Sequence, residues 1–346
     1  MGGLSIYGAS VVPAVKKMRL FLIILGILYT YGIHPALGDL SGVILGFAIP
    51  ALYMISGCLV LRDSPNIEKR ILRTIGRTAI CFAILFAVYF ALSLIVSWET
   101  TVATVCSRAF WINFLIFNVW TLPVGSTIWF VQALLYAYII IYVIYKLKLL
   151  RFDIIIAALC LAVTLLTGEL ASVVGFYFRG RTYIGGNFFT RALPYILIGC
   201  FIYRKRDFFG TLKMKYYVLT AGAGAALIAA EYIVLEATGY KYYVGHLLGM
   251  GLVAAAVCMF CLFVEGMEFE SELFRELSRF EISIPYYICS PLNVLFIYLI
   301  SMSERLYGIL GGFIGIITAV FGVIALFIYY YCIRPLFFAI TRRGEQ

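Results

Sequence analysis

The chain has 346 residues, of which 64% are hydrophobic and 13% charged, and its mean hydropathy is +1.01. A water-soluble domain carries about 25% charged residues, so the composition excludes a cytosolic enzyme, a disordered chain and a collagenous one. Unbroken apolar stretches near the ~20 residues that take a helix across a bilayer also exclude the alternating strands of a membrane β-barrel. The sequence predicts an all-α polytopic membrane protein. Its 27 Lys and Arg against 17 Asp and Glu give a net charge of +10. These cations gather in the short connections between apolar stretches, which reads as membrane topology and not as a nucleic-acid interface.

In chain order the hydropathy predicts spans at Leu20–Gly38, Ser41–Leu61, Thr78–Ser97, Ile128–Tyr145 and Ile154–Val173, then at Phe189–Tyr203, Tyr216–Glu236, His246–Val264, Ile282–Ser301 and Ile309–Tyr331. Ten spans make a bundle with both termini on one side, and the charges identify that side as cytoplasmic. Only Arg108, Arg179, Arg181, Arg191, Lys241 and Arg305 fall in the opposite connections, leaving 21 of the 27 cations inside. The apolar run Ala109–Leu122 is too short for a crossing and is expected to be interfacial or re-entrant. Glu270–Glu281 places Leu273, Phe274, Leu277 and Phe280 at helical spacing among charges of both signs, the pattern of a surface helix. Met1–Lys17 has no signal-peptide architecture. Residues 1–346 are expected to form a single membrane domain with no appended soluble domain. The nine Cys residues lie mostly within apolar runs, where a thiol acts as a small hydrophobe; no disulfide and no metal centre is expected.

Function is sought among polar groups that the bilayer makes expensive. His34 sits near the extracytoplasmic end of the first span, followed by Pro35 and, five residues on, Asp39. A neutral imidazole there can serve as a general base with Asp39 orienting it, or it can be an interfacial His bonded to a carbonyl. His246, at a span start, favours the structural role. Gln132, Arg191, Glu231 and Asn293 are further polar groups at membrane depth. Arg191 is either a snorkelling cation or a cavity-lining one, and Glu231 either pairs with it or reaches the headgroups. Arg70, Arg73 and Arg77 share one face of a helix entering the third span, suited to anionic headgroups or to cofactor phosphates.

Several patches then resemble, in order, the acyltransferase-3 family of integral membrane O-acyltransferases that modify bacterial surface polysaccharides, O-antigen and peptidoglycan. They are His34 in the first span, the apolar run Leu52–Val60 with Ser56 and Gly57, and the pair Arg70 and Arg73. The helix Ile128–Tyr138 with Trp129, Phe130 and Tyr136 follows, and then Arg191 with Pro194, Tyr195 and Gly199. The resemblance covers most of the chain and implies a multi-pass protein of the bacterial cytoplasmic membrane. It would move an acyl group, acetyl foremost, from cytoplasmic acyl-CoA to a hydroxyl of an extracytoplasmic glycan.

In that reading His34 and Asp39 are catalytic, Arg19, Arg70, Arg73 and Trp129 hold the acyl-CoA, Arg191 and Glu231 meet the acceptor, and no metal takes part. Membrane lipids and the glycan are the expected partners. Arg19 lies fifteen residues before His34, about 22 Å along a helix, comparable to an extended pantetheine arm. Three departures stand out: Ile23 occupies the position of the family's arginine, with Arg19 one turn back; Gly38, Asp39 and Leu40 replace a Gly-Gly-Phe stretch; and a late His-Pro reads Ser290-Pro291 after Cys289. Two readings from other classes are a transporter or flippase of a lipid-linked glycan, consistent with Pro50, Pro194 and Pro285 in spans, and a non-catalytic membrane module.

Overall fold

The fold is given by a computed structural model in which residues 11–32, 45–61, 66–125, 127–167, 188–237, 247–263, 284–328 and 331 are described. Every regular element among them is helical. The helices are α1 (Val11–Tyr31), α2 (Ala48–Val60), α3 (Ile67–Val96), α4 (Trp98–Cys106), α5 (Arg108–Leu115), α6 (Ile128–Lys146), α7 (Asp153–Thr167) and α8 (Phe188–Arg191). They continue with α9 (Leu193–Arg204), α10 (Arg206–Gly210), α11 (Met214–Ala237), α12 (Leu247–Phe263), α13 (Ile284–Ser301), α14 (Glu304–Leu310) and α15 (Ile314–Ile328).

Four stretches, Ile67–Val96, Ile128–Lys146, Leu149–Leu166 and Met214–Val234, are long and apolar enough to cross a membrane, and six shorter apolar helices accompany them. The boundaries differ from the hydropathy expectation where backbone chemistry intervenes. The first helix stops at Tyr31 because Gly32 adopts a left-handed φ of 78°. α3 begins eleven residues before the expected Thr78, since Asn66 caps it by accepting the Lys69 N–H at 2.9 Å. The expected span from Phe189 is broken at Ala192, because Pro194 has no N–H to offer the Thr190 carbonyl. The last expected span divides into α14, a 3-10 turn at Gly311–Phe313 and α15. The Ala109–Leu122 run contains only α5, eight residues or about 12 Å, too short to cross. The expected surface helix Glu270–Glu281 lies outside the described residues, as does His246.

α1 packs against α2, α12, α13 and α15; α2 packs on α9 and α12, and α3 on α6. The core follows from small residues that let backbones meet. At the crossing of α2 and α9, a Cβ on Gly57 would lie 3.0 Å from the Ile196 carbonyl carbon, and one on Gly199 2.7 Å from that of Met54. The Cys58 thiol donates to the Gly199 carbonyl at 3.2 Å and approaches the Cys258 sulfur at 3.5 Å. Two patches far apart in sequence, around Gly57 and around Gly199, thus form one contact. α3 is different. It lies at the periphery, with Ile80, Ile84, Val88 and Ile95 exposed, an apolar face suited to lipid.

Candidate active site

α1 is the axis of the site. Leu22, Ile23 and Ile27 are buried, whereas Arg19 is half-buried. Position 23, where the related arginine is expected, is thus a core position, and the chain carries its cation one turn earlier. At the other end the Tyr31 and Gly32 backbone meets Gly315 of α15, where a Cβ would come within 2.9 Å of the Tyr31 carbonyl oxygen. His34 and Asp39 follow immediately in sequence but lie outside the described residues.

Beside the end of α1 stands the middle of α13. The buried Cys289 thiol donates to the Tyr31 hydroxyl at 3.8 Å. Pro291 has no N–H, so the Tyr287 carbonyl four residues earlier loses its helical partner. The Tyr89 hydroxyl from α3 donates to that carbonyl. Having spent its one proton there, Tyr89 accepts from Thr127, 3.0 Å away. The Ser290 hydroxyl accepts the Gly125 N–H at 2.8 Å. Gly125 has φ 111°, and a Cβ on it would sit 2.8 Å from Trp120 Nε1, so the close turn requires glycine.

The segment between α5 and α6 is held from several sides. Trp120 Nε1 donates to the Val124 carbonyl at 2.6 Å, Ser93 bonds the Val124 backbone, and the Asn118 amide donates to the Trp129 carbonyl at 2.9 Å. The C-terminal carbonyls of α5 are orphans of the helix end. Gln132 Nε2 takes that of Phe114 at 2.6 Å, and the Tyr136 hydroxyl takes that of Leu115 at 3.0 Å. Gln132, singled out in the sequence as polar at membrane depth, therefore caps the C-terminal end of α5.

The opposite end of the bundle is charged. Glu68 pairs with Lys146 at 2.5 Å and accepts from the Tyr142 hydroxyl at 3.2 Å. Asp153, fully buried, pairs with Arg204 at 2.5 Å. Arg70 is half-buried and Arg73 exposed on the first turns of α3. Trp129 opens α6, half-buried, with its ring 6.0 Å from that of Phe130. It stands about 26 Å along α6 from Lys146, at the end of the helix next to Thr127 and away from the Glu68–Lys146 pair beside Arg70. Arg191 ends α8, which packs on α6 and α7, whereas Glu231 lies on α11, which packs on α12. The helices that carry these two residues pack on different neighbours. Cys289, Ser290, Tyr89 and Tyr31 did not emerge as a site from the sequence. Pro291 within an apolar run was the available signal, since it frees a carbonyl that some donor must satisfy.

Apolar helices, a glycine-built core and a polar cluster held inside it define a multi-pass membrane protein. Residues 14–333 match the family model of the acyltransferase-3 acyltransferase domain, so the chain belongs to that family and is a membrane O-acyltransferase. No curated protein and no solved structure matches it.

Proposed function

We propose that this acyltransferase carries an acyl group, acetyl foremost, from cytoplasmic acyl-CoA to a hydroxyl of an extracytoplasmic glycan. The observation that carries the reading is the course of α1. It runs from half-buried Arg19 to Tyr31, about 18 Å, and ends at the Cys289–Ser290 cluster three residues short of His34. Four long apolar helices and six shorter ones, counted among the described residues, fall in the order of the ten expected spans. We take them as ten crossings of a bacterial cytoplasmic membrane by one domain, with both termini inside.

In this scheme Arg19 and Arg70 hold the CoA phosphates by charge-assisted bonds, and the acyl end reaches the cluster near Trp129. The His34 imidazole takes the proton of the acceptor hydroxyl, held in orientation by Asp39. The hydroxyl oxygen attacks the thioester carbonyl, the carbon–sulfur bond breaks, and the thiolate receives a proton. Arg191 and Glu231 meet the glycan from separate helices, α8 and α11. Arg73, exposed one turn beyond Arg70, is open to the same phosphates.

The test is acyl content of cell-surface glycans by mass spectrometry in cells expressing wild type, His34→Ala or nothing, with equal membrane levels. An acyl mass increment confined to wild type is the expected result. Equal modification by His34→Ala would refute the assignment of the base. CoA binding by the purified protein excludes a transporter, which has no use for it.

A further inference from the structure

Three helices bring four cysteines into one part of the core. Cys58 of α2, Cys200 of α9 and Cys258 and Cys261 of α12 are all buried there as thiols. The Cys58 and Cys258 sulfurs stand 3.5 Å apart although 200 residues separate them in the chain. Cys58 spends its S–H on the Gly199 carbonyl, 3.2 Å away, so in the contact with Cys258 it accepts and Cys258 donates. Cys200 is turned elsewhere, with its S–H on the Gly57 carbonyl at 3.6 Å, and Cys261 lies one turn further along α12. A disulfide holds its sulfurs at about 2.05 Å, so closing this pair takes an approach of about 1.5 Å. Cys58 is two residues from the C-terminal end of α2 and Cys258 five from that of α12. Both therefore lie within about 8 Å of their helix ends, a depth that a small oxidant can reach.

We propose that Cys58 and Cys258 form a redox-active dithiol, which hydrogen peroxide closes into a disulfide tying α2 to α12. One sulfur attacks the peroxide: the O–O bond breaks, the sulfur is oxidised to a sulfenic acid, and water leaves. The second thiol attacks that sulfur, the S–S bond forms, and a second water carries away the sulfenic hydroxyl with the remaining thiol proton. Two thiols are oxidised and one peroxide is reduced. Closing the link takes the Cys58 proton from the Gly199 carbonyl and joins two of the four helices against which α1 packs. Under the topology proposed above both cysteines sit at the cytoplasmic ends of their helices, where cellular thiols reopen the bond by exchange. The link is thus a reversible staple in the core beside α1.

The experiment treats the full chain, reduced and in detergent, with hydrogen peroxide and maps its proteolytic peptides by mass spectrometry without reduction. None of its readouts requires acyl transfer. A peptide pair joining Cys58 to Cys258, two hydrogens lighter than the free peptides and separated again by dithiothreitol, is the expected result. C58S and C258S should lose the pair, and C261S should keep it. Oxidised wild type should melt several degrees above reduced wild type, because the link closes a loop of 200 residues, and C258S should show no such shift. If the serine variants do not fold, phenylarsine oxide decides on wild type. It bridges two close thiols with loss of water, so it should be found on the Cys58 and Cys258 peptides and should block the link. Peptides that stay unlinked under peroxide, a link that runs to Cys200 or Cys261, an unchanged melting temperature after full oxidation, or an arsenical that does not hold both cysteines would overturn the proposal.

Discussion

Substituting Gly57 by alanine tests the central helix crossing. A Cβ there would sit 3.0 Å from the Ile196 carbonyl carbon and 3.1 Å from the Cys200 nitrogen, where carbon contacts normally need ~3.5–4.0 Å. The obstructing atoms are backbone, so no side-chain rotation relieves the overlap. The closest obstructing atom is the Ile196 carbonyl oxygen, so α2 and α9 must separate by on the order of 1 Å, loosening Met54, Ile55, Ile196 and Leu197, all of them buried. Overpacking of this kind costs about 1–3 kcal/mol, against a gain of up to ~1 kcal/mol from replacing a helical glycine. The expected net loss is about 1–2 kcal/mol, a factor of roughly 5–30 in the folded-to-unfolded ratio. Gly76→Ala and Gly222→Ala, whose Cβ atoms would meet nothing within 4 Å, should show only the gain. Thermal unfolding in detergent, followed by tryptophan fluorescence, reads all three. Should Gly57→Ala melt at or above wild type, alongside the two controls, the backbone contact would have no energetic content and the argument would fail. Gly57→Ala and Gly199→Ala together should cost less than the sum, because once the helices part for one Cβ they accommodate the other.

Tyr89→Phe leaves the Tyr287 carbonyl without its donor and should destabilise by about 1–3 kcal/mol. Adding Pro291→Ala restores a helical N–H to that carbonyl, so the double variant should melt above Tyr89→Phe alone; no recovery would mean that Tyr89 acts through another contact. Arg204→Gln strands the buried Asp153 carboxylate and is expected to cost about 3–5 kcal/mol. Lys146→Gln breaks the exposed pair with Glu68 and should cost less than ~1 kcal/mol; equal melting shifts for the two variants would contradict the burial argument.

Much of the architecture was legible from composition and periodicity, because crossing a bilayer demands long apolar helices whatever their neighbours. The apolar helices appear where hydropathy puts them. Their ends were less legible: Gly32 stops α1, the Asn66 side chain starts α3, and Pro194 divides the sixth expected span, each through local hydrogen bonding that hydropathy does not measure. Arg70, Arg73 and Arg77 were readable as one helical face. That Arg70 is half-buried while Arg73 is exposed depends on what packs beside α3.

The sequence by itself determined the membrane class, the family and the order of the apolar helices, since these follow from residue types and short-range spacing. Only the tertiary structure showed that Gly57 meets the α9 backbone beside Gly199, that Cys289 and Ser290 stand against the end of the first helix and the turn at Gly125, and that Trp129 lies a helix length from Arg70. Each of these joins residues far apart in the chain. Which small residue admits which backbone, and which donor reaches the carbonyl that Pro291 frees, is settled by three-dimensional packing, where no local pattern reaches.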